Sequence, residues 1–218
     1  MSSKLPLPPD PFDLSYNLET WGVGKPIVRV HHCRFGATEF NPGEGGGRFH
    51  PLHDAAGDVV PTIYGANSFD GALSETVFHE VPAADPGKSI DQALLMPLLA
   101  CTLRPARPLR LIQLRGYGLS KLGLTRAQLI DSAADQYAAT RAWAAALYAR
   151  APEADGLIWM SRQHDASEAI VLFGTRVARE ELIVAASPRP LYPPAPGWHE
   201  VLDAAEAANI RIVIDEES

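Results

Sequence analysis

The rhythm of apolar and polar positions changes several times along the chain, and each change marks an element. Residues 27–35 (IVRVHHCRF) are β-branched and partly alternating, which predicts a strand. Residues 59–64 predict a short second strand. Residues 98–103 and 109–114 are apolar runs bounded by prolines and predict two more. The unbroken apolar runs 156–160 (GLIWM) and 169–173 (AIVLF) predict buried strands, and 182–186 another. Residues 210–214 are expected to close the sheet.

Between these strands the spacing becomes helical. Ala72, Leu73, Val77 and Phe78 follow Ser68, whose hydroxyl is suited to cap a helix start. Residues 125–130 predict a short helix. Residues 132–150 predict the clearest one, rich in Ala, with Tyr137, Trp143, Leu147 and Tyr148 as its apolar stripe and Pro152 beyond its end. A last helix over 197–208 follows a proline-rich connection, 187–196. Residues 82–87 are expected to interrupt the chain. Residues 1–26 are proline-rich without periodicity and read as an N-terminal arm on the surface of one domain spanning 27–218. Strands and helices interleave without a regular βαβ rhythm, which favours an α+β fold over a doubly wound parallel sheet.

Composition sharpens this picture. The chain has 218 residues, 46% hydrophobic and 21% charged, which suits one globular core. Its net charge of −7 is unfavourable for broad contact with nucleic-acid phosphates, so no direct nucleic-acid binding is expected, although a local basic pocket for a small anion remains open. Two cysteines, Cys33 and Cys101, do not form a disulfide framework. Neither a signal-peptide pattern nor an apolar run of membrane-spanning length is visible, so a soluble, cytoplasmic, reducing location is expected.

An ordered series of features stands in the first half and beyond. Arg34 is read as ending a strand. The glycine-rich stretch 41–47 (NPGEGGG) leads into Gly47-Arg48-Phe49. An apolar segment ends in Tyr64, and Glu75 follows eleven residues later in ALSETV. Much later, Asp155-Gly156-Leu157-Ile158 leads to Ser161-Arg162. This order resembles the RES family over about residues 28–185. Between Arg48 and Tyr64 the chain departs from short members by a few extra residues, among them His50, His53, Asp54 and Asp58.

The resemblance implies an ADP-ribosyltransferase-like fold, with split central β-sheets, flanking helices and a cleft for NAD. It implies a toxin, paired with an Xre-type helix-turn-helix antitoxin that blocks the cleft. The implied activity is cleavage of the nicotinamide–ribose bond of NAD by hydrolysis or phosphorolysis, the latter with inorganic phosphate as co-substrate. Mono-ADP-ribosylation of a protein is the alternative, and a non-catalytic binding module a third.

The residue types suit that chemistry. Cleaving the bond builds positive charge on the ribose, which a fixed carboxylate such as Glu75 stabilises more than it stabilises the neutral ground state. Arg34 and Arg48 present planar forks that match phosphate, and glycines beside Arg48 let the backbone approach a ligand. Tyr64 can stack on nicotinamide and anchor its amide, with Phe35 and Phe49 as weaker aromatic candidates. Ser161 and Arg162 are candidates for holding phosphate, and Ser68 for contacting NAD. Each has a plainer alternative: a solvated helix glutamate, an ion-paired Arg34, core aromatics, a turn serine.

Two rival sites are weak. His31 and His32 are adjacent and would point to opposite faces of a strand, and no zinc-type spacing appears, so no metal is expected. Cys33 beside His32 is better read as a small hydrophobe than as a thiol nucleophile. His79 shares a helix face with Glu75, which suits a supporting or core role.

Overall fold

The computed structural model describes residues 4–79, 81 and 87–214. Among them the strands are β1 (Leu18–Trp21), β2 (Ile27–His32), β3 (Leu52–His53), β4 (Val59–Val60), β5 (Thr62–Ala66), β6 (Ser89–Asp91), β7 (Leu98–Pro105), β8 (Leu109–Gln113), β9 (Gly156–Met160), β10 (Glu168–Phe173), β11 (Leu182–Pro190) and β12 (Arg211–Val213). The helices are α1 (Phe69–Thr76), α2 (Tyr117–Lys121), α3 (Arg126–Leu129), α4 (Tyr137–Arg150) and α5 (Gly197–Ala207). The fold is α+β, as expected.

Eight strands form one curled sheet in the order β1-β8-β9-β10-β5-β2-β7-β11. Neighbours pair antiparallel except β8 with β9, which run parallel. Side-chain alternation divides the core by face. On β10, Ile170 and Leu172 join Ile27, Ile63, Cys101, Leu103 and Ile158 on one side of the sheet. Val171 and Phe173 turn the other way, onto Trp143 and Leu147 of α4. In the β2-β7-β11 half, Val28, Val30 and Ala100 pack instead with Leu73 of α1 and Val201 of α5.

The expected split of the sheet takes a specific form. β2 and β5 share one paired position, Val28 with Ala66. Continuing that register would set Val30 opposite Tyr64 and His32 opposite Thr62. Instead the strands diverge, and all four residues line a cleft. Gly65 permits the single close rung: a Cβ there would lie 2.6 Å from Ile27 Cγ2 and 3.0 Å from the Val28 carbonyl oxygen.

Several expectations are corrected in detail. The N-terminal stretch is bound to the body: β1 sits at the sheet edge on β8, and Leu5, Leu14 and Trp21 are buried. These anchors are seven to nine residues apart, too widely spaced to leave a periodic signal. Residues 210–214 do not close the main sheet; β12 pairs in parallel with β6 in a separate two-stranded sheet. The strand beginning at Ile27 ends at His32, two residues short of Arg34. The long helix begins at Tyr137 rather than residue 132, after a 3-10 turn. The break expected over residues 82–87 lies, apart from Gly87, outside the described residues. Among the described residues no helix is long and apolar enough to cross a membrane.

Candidate functional site

Three segments wall the cleft where β2 and β5 part. The first is β2 itself. Arg29 and His31 are two residues apart, so they share one strand face, and both line the cleft. Arg29 is buried and donates through Nη1 to the carbonyls of Gly36 at 3.2 Å and Ala37 at 2.7 Å. Burial pulls its pKa down to about 10, which leaves it charged at neutral pH.

The second wall is the glycine-rich loop before β3. Asn41 shapes it: Oδ1 accepts from the amides of Gly43 at 3.0 Å and Glu44 at 2.8 Å, and Nδ2 donates to the Glu44 carbonyl at 2.9 Å. Gly43 and Gly45 have φ of 115° and 82°, values that L side chains rarely adopt. His50 ties the loop to β5, with Nε2 donating to the Glu44 carbonyl at 3.0 Å and Nδ1 accepting from Thr62 Oγ1 at 2.8 Å. The extra residues before Tyr64 form the β3–β4 hairpin.

The third wall is α1. Ser68 caps it, accepting from Gly71 N at 3.0 Å, and Glu75 sits in its last turn. The Glu75 carboxylate is held from three directions: Oε1 accepts from the Arg162 amide at 3.0 Å, and Oε2 from Trp159 Nε1 at 3.3 Å and Arg48 Nη1 at 3.4 Å. A carboxylate has about four acceptor positions, so one remains for a ligand. Arg48 is 6% exposed, and its Nε finds no partner. Burying such a donor unpaired is costly, so the atom is poised to meet an acceptor.

The cleft holds about 350 Å³, at the lower end of small-molecule sites. Among the described residues, three arginines, Arg29, Arg34 and Arg48, line it against two glutamates, Glu44 and Glu75. A locally cationic pocket therefore sits in a chain of net charge −7.

The candidate residues separate into two groups. Arg48, Tyr64, Glu75, Arg34 and Phe35 line the cleft together. Arg34 lies at an exposed position, paired with Glu44 at 2.5 Å and stacked 4.9 Å from the Phe35 ring. The Tyr64 hydroxyl accepts from Phe49 N at 3.1 Å, and burial raises its pKa, so it stays a protonated phenol with its own hydrogen to give.

Phe49, Ser68, Ser161 and Arg162 are not among the cleft-lining residues. Phe49 is buried edge-on against Trp159, with ring centroids 5.1 Å apart. Ser68 Oγ bonds Ser167 Oγ at 2.5 Å. Ser161 is fully buried, and its main chain bonds Ser167 and Arg126. Arg162 serves Glu75 through its amide, while its guanidinium reaches the Ser132 carbonyl at 3.3 Å. Direct contact with phosphate, expected of Ser161 and Arg162, is not what their side chains are placed to make. Asp155, earlier in the same motif, is a structural anchor: it accepts from Arg107 at 2.8 and 2.9 Å and from Arg110 N at 2.8 Å.

Arg29 and His31, which line the cleft, and Trp159, which holds Glu75, were not singled out from the sequence as site residues. The first two left a trace, since polar residues at alternate positions of an otherwise apolar strand imply a polar face. Trp159 left none, because a tryptophan in an apolar strand reads as core. Among the described residues, no group of three or more His, Cys, Asp or Glu stands close enough to hold a metal ion.

His31 and His50 carry a pH consequence. Burial lowers both pKa values below the ordinary 6.5, helped at His31 by the Arg29 guanidinium. As pH falls through about 6.5, the unfolded chain protonates these rings before the folded protein does, so stability must drop. The urea midpoint is expected to be level near pH 7–8 and to decline from about pH 6.5 towards 5. A level midpoint across that window would contradict the assignment of two neutral buried rings.

Comparison with known proteins agrees with this architecture. The RES domain family matches the chain over residues 26–193. No curated protein matches it significantly. A solved structure described as the M. tuberculosis MbcT-MbcA toxin-antitoxin complex contains a chain of similar fold. It has 16% sequence identity and a TM-score of 0.60, over 86% of this chain and 92% of that one.

Proposed function

This chain belongs to the RES domain family, and from that premise we propose that it is the toxin of a toxin–antitoxin pair, acting in the cytoplasm by cleaving the nicotinamide–ribose bond of NAD. The observation that carries the reading is the Glu75 carboxylate, fixed by three donors at the wall of a cationic cleft.

In the proposed reaction the C1′–N1 bond breaks and its electron pair neutralises the nicotinamide ring. The ribose is left with oxocarbenium character. Glu75, already oriented, stabilises that charge with no reorganisation at the moment of reaction. The unpartnered Nε of Arg48 and the Arg29 guanidinium suit the diphosphate. Tyr64 offers a ring wall and a phenolic hydrogen to the nicotinamide end. An oxygen of water or inorganic phosphate then attacks C1′; a water proton leaves to solvent.

The test follows nicotinamide release from NAD by folded protein, with and without inorganic phosphate. Release in either condition is expected, and the pair separates hydrolysis from phosphorolysis; no release in both would overturn the reading. Labelled NAD in a cell lysate tests transfer to protein, which predicts labelled bands. The partner is an Xre-type antitoxin, expected to suppress turnover by occupying the cleft.

Trp159 acts through Glu75. Trp159→Phe keeps the ring contacts to Phe49 and Tyr64 but removes the donor to Oε2. Loss of one hydrogen bond to a charged group, about 1.5 kcal/mol, predicts roughly tenfold slower turnover. The expected signature is a fall in kcat with KM little changed. Unaltered kcat would show that the Trp159 hydrogen bond plays no part in positioning the carboxylate.

A further inference from the structure

His31 is the second buried side chain of the cleft with an unanswered polar atom. It is 5% exposed, and Nε2 has no hydrogen-bond partner. Its other nitrogen is committed: Nδ1 lies 3.1 Å from the His32 carbonyl oxygen. A carbonyl only accepts, so Nδ1 carries the proton and a neutral ring presents Nε2 as a lone pair. β2 sets the direction, since His31 shares the strand face of Arg29 and lines the same cleft.

Building on the NAD reading of this cleft, we propose that His31 Nε2 is a substrate-binding acceptor that receives a neutral hydrogen donor of the nucleotide, a ribose hydroxyl or the nicotinamide carboxamide. The polarity of the site selects this chemistry. A lone pair repels phosphate oxygens, which the arginines of the cleft serve instead. Protonation, which would turn the acceptor into a donor, is opposed by burial and by Arg29, while the His32 and Phe35 carbonyls pull the other way. Among the described residues, the remaining titratable and charged groups lining the cleft are His32, Arg34, Glu44, Arg48, His50, Tyr64, Glu75, His79 and Tyr137. None of these is a hydrogen-bond partner of Nε2.

The two halves of the nucleotide, ADP-ribose and nicotinamide, are not turned over and serve as separate probes. Each is titrated calorimetrically into the native protein, His31→Leu and His31→Gln. His31→Leu is expected to weaken one half about tenfold, as when a ligand donor loses its acceptor, and to leave the other within about twofold. The half that weakens identifies the donor as hydroxyl or carboxamide. His31→Gln supplies an amide oxygen and is expected to recover part of the loss. In the native protein the ¹⁵N resonance of His31 Nε2 should shift with that half alone.

Equal binding of both halves by native protein and His31→Leu, with a stationary Nε2 resonance, would overturn the proposal and leave the NAD reading intact. Equal weakening of both halves in both variants would mark a structural role and overturn it too. Failure of the native protein to bind either half would remove the NAD reading and this proposal together.

Discussion

Glu75→Gln is expected to slow nicotinamide release by two to three orders of magnitude. The estimate assumes that one preorganised charged group supplies about 3–4 kcal/mol of transition-state stabilisation. The substitution keeps the side-chain length and removes the charge. It also sets an NH₂ group among three donors, those of Arg48, Trp159 and Arg162, where only acceptors are satisfied. A stability loss of about 1–3 kcal/mol should accompany it, from the mismatched donors and the buried, unpaired Arg48. Near-ultraviolet circular dichroism separates the two effects, because a folded and inactive variant shows the native spectrum. Turnover within tenfold of native, in folded protein, would remove Glu75 from the centre of the site.

Gly156→Ala should be among the most destabilising single substitutions in the chain. Gly156 opens β9 between β8 and β10. A Cβ built there lies 2.1 Å from the Val171 carbonyl oxygen and 3.0 Å from its carbon. Those atoms are backbone of a paired strand and cannot swing aside. Overpacking of a core ordinarily costs about 1–3 kcal/mol, and a clash with fixed backbone belongs at or above the top of that range. For a chain of this size the melting temperature should fall by roughly 6–12 °C. The damage should also reach the cleft, because β9 carries Trp159 and leads to Arg162, two of the three donors to Glu75. A melting temperature within about 2 °C of native would show that β9 and β10 separate more easily than their register implies.

Much of the sheet was legible along the chain. The runs at 156–160 and 169–173 are apolar on both faces because α4 covers one side of those strands and the curl of the sheet covers the other. Ser68 announced α1 because a cap is a local interaction, made with Gly71 three residues away. The N-terminal strand was not legible. β1 is four residues long and owes its place to β8, some ninety residues later. The edge pairing of β12 with β6 was hidden for the same reason.

The site divides in the same way. Sequence alone supplied the candidate residues and their order: a glycine loop with Arg48, a strand with Tyr64, a capped helix with Glu75, and resemblance to one family over most of the chain. The elements follow from local pattern, and the resemblance, carried by short motifs in order along the chain, singled out those residues within them. Only the tertiary structure decided which of the candidates share a cleft. It buried Phe49 and Ser161, tied Ser68 to Ser167 at the start of α1, left the Arg162 amide as a donor to Glu75, and brought Arg29, His31 and Trp159 to the site. The physical reason is that β2 and β5 separate after one paired rung. Which residues face the opening depends on the register between two strands more than thirty residues apart, and no local rhythm records it.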